Sequence, residues 1–166
     1  MSSFKISIAT PDEAPAILRV QHDTWIATYP NEEFEITLEA IKKRVSENFS
    51  AESIINMEEI ITDPQKRTWV AKDDETVIGY CVAAKYSEKN HIEALYVLPE
   101  FQGKHVGGLL MENALEWLGN ANHIIAEVAS YNERAIRFYE KFQFKKNGET
   151  GDSNGIPTIK LARSTK

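Results

Sequence analysis

The chain has 166 residues, 42% hydrophobic and 27% charged, with 19 Lys and Arg against 25 Asp and Glu and a net charge of −6. That length fits one domain, residues 1–166, with a core that needs no disulfide or metal staple. The acidic balance argues against a groove for a phosphate backbone, and so against a nucleic-acid partner. A single cysteine, Cys81, excludes an intrachain disulfide and a multi-thiolate metal centre. No basic segment followed by an apolar one opens the chain, and no apolar run approaches the roughly 18 residues of a membrane span. A cytoplasmic protein with no membrane partner is therefore expected.

Residues 4–9 alternate as a short strand. Thr10, Pro11, Asp12 and Glu13 read as a helix start, with the helix running to about Thr28. Ala14, Ile17, Leu18 and Trp25 form its predicted buried side. Leu38, Ile41 and Val45 predict a second helix over about 37–48, and a third is predicted over 51–61. The period then changes: 67–72 and 76–86 read as strands joined by Asp73-Asp74-Glu75, and 91–98 as a third, stopped by Pro99. Val106, Leu109, Leu110, Ala114, Leu115 and Leu118 mark a helix that ends at Gly119. A strand follows over 123–129, then a helix over 133–142 capped by Asn132. Strands are predicted at 142–146 and 156–162, separated by a Gly- and Asp-rich stretch, 148–155. Consecutive strands followed by two crossover helices predict a mixed α/β (α+β) sheet, not a doubly wound one.

The chemistry concentrates where a strand passes into a glycine-rich helix start: Leu95-Tyr96-Val97-Leu98-Pro99-Glu100-Phe101-Gln102-Gly103-Lys104-His105-Val106-Gly107-Gly108. The first N–H groups of a helix lack intrahelical acceptors and carry partial positive charge, and glycines let an anion come close to them. An ordinary strand-to-helix turn would also use glycine. Neither G-x-x-x-x-G-K-[ST] nor G-x-G-x-x-G is present, which removes the main support for an ATPase or a dehydrogenase.

Gln102-Gly103-Lys104-His105-Val106-Gly107 resembles the acetyl-CoA loop, Gln/Arg-x-x-Gly-x-Gly/Ala, of the GCN5-related N-acetyltransferase (GNAT) superfamily, with His at 105 where the family usually has Gly. The stretch from Asn132 through Ala135 and Tyr139 to Phe144 is similar to the family's Asn-x-x-Ala-x-x-x-Tyr-x-x-x-Gly-Phe, with Gln143 in place of Gly. The order of elements matches that fold over nearly the whole chain. The resemblance implies a mostly antiparallel sheet splayed between its fourth and fifth strands, with the cofactor's pantetheine in the gap. It implies acetyl-CoA as cosubstrate, held along Leu95, Tyr96 and Val97, by Gln102, Gly103, Lys104, His105, Val106, Gly107 and Gly108, and by Asn132 and Phe138.

Acetyl transfer to an amine needs a base, because an alkyl ammonium is mostly protonated near pH 7. Glu93 is the candidate. Alternation places it with Leu95 and Val97, where apolar surroundings would raise its pKa; its other reading is a solvated strand residue. His91 is a second candidate for base or for substrate contact. The family motif puts Tyr139 beside the thioester sulfur as proton donor; its bland role is a core tyrosine. Trp25 and Tyr29 are candidates for the acceptor pocket. The four histidines lack metal-ligand spacing, so no metal is expected. The reading is an N-acetyltransferase acting on a primary amine by direct attack in a ternary complex. The acceptor is a polyamine, another small amine or a protein amine. A non-catalytic acyl-CoA-binding module of the same fold is the alternative. Members of the superfamily commonly dimerise, which admits a homodimer.

Overall fold

A computed structural model describes residues 3–165. β1 (Lys5–Ile8) leads through a 3-10 turn at Pro11–Glu13 into α1 (Ala14–Thr28). At that entry the Glu13 carboxylate accepts the Thr10 N–H at 2.9 Å, satisfying a donor the helix cannot. α2 (Leu38–Glu47) and α3 (Ala51–Thr62) each start on a hydroxyl cap. The Ala40 N–H donates to Thr37 at 3.1 Å, and the Ser53 N–H to Ser50 at 3.2 Å. β2 (Lys66–Asp73), β3 (Thr76–Lys85) and β4 (Asn90–Val97) form a meander. α4 (Val106–Leu118), β5 (Ile124–Ala129), α5 (Glu133–Lys141), β6 (Lys145–Ser153) and β7 (Ile156–Arg163) complete the chain.

The seven strands lie in the order β1-β2-β3-β4-β5-β7-β6. Every neighbouring pair is antiparallel except β4–β5. Helices cover both faces. Trp69 packs edge-on against Trp117 of α4, and a Cβ at Gly79 would stand 3.4 Å from Leu110. On the opposite face the Tyr29 hydroxyl at the end of α1 meets that of Tyr96, 3.1 Å away. α2 packs on the same side, with Ile41 and Val45 against Ala129 and Ile156. The main core lies between these layers: Ile17, Val70, Ile78, Tyr80, Cys81, Leu110, Met111 and Leu161 are all buried to within 1% exposure. Burial pushes the Cys81 thiol far up, so it stays protonated and unreactive.

β4 and β5 pair only at their beginnings, Asn90 with Ile124, His91 with Ile125 and Ile92 with Ala126, and then part. A bulge in β4 accompanies the divergence. Its register to β3 steps from Val82↔Ala94 to Ala83↔Ile92, which leaves Glu93 as the extra residue. The bulge interrupts the alternation expected from sequence. Ile92, Leu95 and Val97 point to the α4 face, whereas His91, Ala94 and Tyr96 point to the α1 face.

The C-terminal hairpin corrects another expectation. The first strand does not begin at Phe142, which ends α5. Most of 148–155 is strand, not loop, and the connection shrinks to Asn154-Gly155. Both of those residues have positive φ, +53° and +87°, as in a tight Asn-Gly hairpin turn. β7 pairs with Gly151 and Asp152, which outweighs their poor strand propensity, while the register shifts between Lys146 and Thr150, where Gly148 takes φ +86°.

The two positions at which the chain departs from the family pattern, His105 and Gln143, both have φ +68°. Their backbones keep the left-handed conformation that glycine adopts freely, at a cost of roughly 1–2 kcal/mol for a residue with a Cβ. Gln143 is exposed. Gln143→Gly is expected to gain up to about 1 kcal/mol, or roughly 2–4 °C in melting temperature. A thermal melt with no gain would mean that the glutamine side chain offsets its own strain.

Candidate active site

Where β4 and β5 part, a cavity of about 760 Å³ opens. One wall is β4 from Ile92 to Val97 and the other is β5 from Glu127 to Ala129. Gln102, Gly103, His105, Gly107 and Gly108 line one end, α5 lines the side, and Thr24, Thr28 and Tyr29 line the other end.

The loop end is built for close approach. Gln102 donates from Nε2 to the Val97 carbonyl at 2.9 Å, which ties the loop to the end of β4. Gly103 has φ +79° and lies beside the Arg134 guanidinium, 3.8 Å from where a Cβ would stand. A Cβ at Gly107 would meet Phe138 at 3.3 Å and Leu95 at 3.7 Å. His105 precedes α4 without a side-chain cap bond. Its ring folds over Gly108, whose missing Cβ would lie 2.6 Å from the ring, and its Nε2 is 3.7 Å from a Glu112 carboxylate oxygen. A histidine at 105 thus depends on a glycine at 108. Bare backbone, the unpaired first amides of α4 and nearby cations suit an anionic ligand such as the pyrophosphate of coenzyme A. Among the other residues expected to hold the cofactor, Leu95, Tyr96, Val97, Asn132 and Phe138 line the cavity. Lys104 instead lies over the Phe101 ring at 5.4 Å, and Val106 is buried in the core. Asn132 also caps α5, accepting the Ala135 N–H at 3.1 Å.

Tyr139 lines the cavity from the α4–α5 side and is 6% exposed. Burial, with Cys81 and Tyr96 nearby, pushes its phenol well above the usual value, so it stays a proton donor. Its hydroxyl makes no side-chain hydrogen bond among the described residues. Tyr29 faces the cavity, and its phenol is raised by burial and by the bond to Tyr96. Trp25 stands behind it, edge-on at 5.4 Å and off the lining.

Glu93 borders the cavity, but its carboxylate is not in apolar surroundings. It accepts from Lys66 Nζ at 2.8 Å and from the Tyr86 hydroxyl at 2.7 Å. Burial alone would lower the Lys66 pKa; the bond to Glu93 outweighs it, and Lys66 stays charged. His91 packs edge-on against Tyr86 at 5.5 Å, off the cavity lining, and burial lowers its pKa. The sequence reading passed over a different carboxylate, Glu127. It is the lone charged residue of β5, Ile-Ile-Ala-Glu-Val-Ala. It shares the α1 face with Ile125 and Ala129 and accepts from the buried Thr158 hydroxyl at 2.5 Å. Gly151 makes room for that pair: a Cβ there would come within 2.9 Å of Thr158 Oγ1 and 3.2 Å of Glu127 Oε1. No cation stands within 4 Å of Glu127 among the described residues; Lys160, opposite it in β7, pairs with Glu149 at 3.2 Å. A charge placed in an otherwise apolar strand was the available signal. Tyr139 and Glu127 therefore approach the opening from opposite faces of the sheet.

The sheet is thus splayed at its one parallel pair, with a glycine-lined helix start at the mouth, the arrangement expected from the motifs at 102–107 and 132–144. A sequence model of the acetyltransferase (GNAT) family matches residues 21–144, and the chain belongs to that family. An uncharacterized N-acetyltransferase of Mycobacterium tuberculosis is 32% identical over 95 residues, 54% of this chain and 60% of that protein. The peptidyl-lysine N-acetyltransferase YjaB of Escherichia coli is 30% identical over 104 residues, 61% of this chain and 66% of that one. The chain thus spans about 60% of the length of the first curated relatives it matches. The PaiA N-acetyltransferase of Thermoplasma acidophilum, solved with coenzyme A, superposes with a TM-score of 0.78 at 21% identity, covering 98% and 99% of the two chains. Among the described residues no helix is long and apolar enough to cross a membrane.

Proposed function

We propose that the protein transfers an acetyl group from acetyl-CoA to a primary amine, by direct attack while both substrates are bound. The observation that supports this most is the opening between β4 and β5. It joins an anion-binding helix start and a protonated phenol on one face to an unpaired carboxylate on the other. Acetyl-CoA supplies the thioester. The bare backbone at Gly107 and the α4 amides hold its phosphates, Phe138 and Leu95 flank the chain that leads inward, and Tyr139 donates a proton to the departing sulfur. Glu127 receives the ammonium of the acceptor and takes one of its protons. Glu93, whose two oxygens already accept from Lys66 and Tyr86, is the second candidate for that step. Tyr29 borders the acceptor end, with Trp25 and His91 outside it.

The acceptor is an amine that enters as a cation. Similarity to a peptidyl-lysine N-acetyltransferase favours a protein lysine, and the unpaired Glu127 suits any ammonium. The same reading takes the protein as a cytoplasmic enzyme, and a homodimer fits it. The test is thiol release from acetyl-CoA with lysine peptides, polyamines and amino sugars. The wild-type protein is expected to turn over at least one of them. Tyr139→Phe is expected to bind acetyl-CoA normally and to turn over about 10²–10⁴-fold more slowly. That defect should shrink for a thioester with a better leaving thiol. A protein that binds acetyl-CoA but releases no thiol with any amine would leave the acyl-CoA-binding module as the function.

A further inference from the structure

The last paired residues of β4 and β5 are Ile92 and Ala126, and the next residue on each strand is a glutamate, Glu93 and Glu127. Both border the cavity. Neighbouring strands stand about 4.8 Å apart where they pair, so the two glutamates flank the opening at its narrow end. Both carboxylates lie on the α1 face. The alternation of β5 sets this for Glu127. For Glu93 its partner does: Lys66 stands opposite Ala84, which stands opposite His91 of that face. Two carboxylates at one opening make seats for two ammonium groups, and one seat is already filled. Lys66 Nζ lies 2.8 Å from Glu93 Oε2, and the Tyr86 hydroxyl donates to Oε1 at 2.7 Å, so both oxygens are engaged. Burial opposes the charge on Lys66, and the bond to Glu93 outweighs it, so the ammonium persists. Glu127 has only the Thr158 hydroxyl, on Oε1, among the described residues.

We propose that Lys66 sets acceptor selectivity: its ammonium fills the Glu93 seat, so the site takes an amine with a single positive charge, such as a lysine side chain in an otherwise neutral segment, and disfavours diamines and polyamines. The inference rests on the acetyl-transfer reading and narrows its substrate class. A singly charged amine that settles on Glu127 faces a neutralised pair across the opening. The second ammonium of a short diamine would come up beside Lys66 and be repelled, with no free oxygen of Glu93 to replace the hydration it loses. Lys66 is in effect an internal copy of that second ammonium. It acts on acceptor binding and not on the transfer step, which Tyr139 and Glu127 serve, so its effect belongs to KM and not to kcat.

The test measures thiol release with butylamine and with 1,4-diaminobutane, which share a chain length and differ by one ammonium, and with a lysine peptide that carries no other charge. The wild type is expected to show a higher KM for the diamine than for either single amine. Lys66→Met keeps the length of the side chain and drops its charge. It is expected to lower the diamine KM about tenfold relative to the butylamine KM, with the butylamine kcat held. Lys66→Arg, which keeps the charge, should retain the wild-type preference. Lys66→Met/Glu93→Gln should lose the gain, because the freed carboxylate is then gone. Melting curves check that each variant folds, and Lys66→Gln stands in for a methionine variant that does not. A wild type that prefers the diamine would overturn the proposal. So would a Lys66→Met protein with an unchanged ratio of KM values, a Lys66→Arg protein with the same gain, or a double variant that keeps it. A wild type that turns over no amine would overturn the acetyl-transfer reading and this proposal with it, an outcome distinct from turnover without the selectivity.

Discussion

Glu127→Gln is expected to lower the rate of acetyl transfer near pH 7 by about 10²–10⁴-fold, the usual worth of a positioned base, with acetyl-CoA affinity unchanged. The amide keeps the size of the side chain and can still meet the Thr158 hydroxyl, but it neither takes a proton nor attracts an ammonium. An alkyl ammonium loses its proton unaided as pH approaches its own pKa, near 10. The defect should therefore shrink steadily from pH 7 to pH 10. Glu93→Gln is expected to cost less than about tenfold, or 1.4 kcal/mol of barrier. Its oxygens are held by Lys66 and Tyr86, so its charge is already answered on the protein. Thiol release measured across pH for both variants separates the roles. If Glu93→Gln shows the large, pH-recoverable loss and Glu127→Gln does not, the base lies at the bulge and Glu127 only braces β7.

Gly107→Asp is expected to abolish acetyl-CoA binding. Its Cβ alone would press on Phe138 at 3.3 Å, and its carboxylate would place a negative charge beside the first amides of α4, the proposed phosphate site. Wild-type protein should gain about 2.7 kcal/mol of stability at a ligand concentration one hundred times the dissociation constant, read as a rise in melting temperature. The variant should show no rise. A carboxylate in the first turn of a helix is favourable to the helix itself, so the unliganded variant should remain folded. A folded Gly107→Asp protein with the full ligand-induced rise would remove the anion site from this loop.

Much of this was legible along the chain. The helices could be read because their stripes and caps are local. Thr37, Ser50 and Asn132 each bond to an N–H three residues on, whatever the rest of the molecule does. The glycine-rich turn before Val106 could be read for the same reason, since a helix start and its bare backbone are set within a few residues. His105 and Gln143 show that a motif can persist in conformation after its glycine is gone.

What escaped was decided between strands. The bulge at Glu93 comes from the register of β3 against β4, and one extra residue there moved its carboxylate from an expected apolar face to Lys66 and Tyr86. Residues 148–155 look like a loop because glycine and aspartate pair poorly by themselves; β7 holds 150–153 as strand by supplying their partners. Glu127 gains its meaning from Thr158 and from the absence of a side chain at Gly151, residues brought beside it only by the β5-β7-β6 order. Local backbone preferences act over three or four residues and are written in sequence. Strand register and the meeting of distant carboxylates, hydroxyls and cations depend on the sum of long-range contacts, and only the folded sheet sets them.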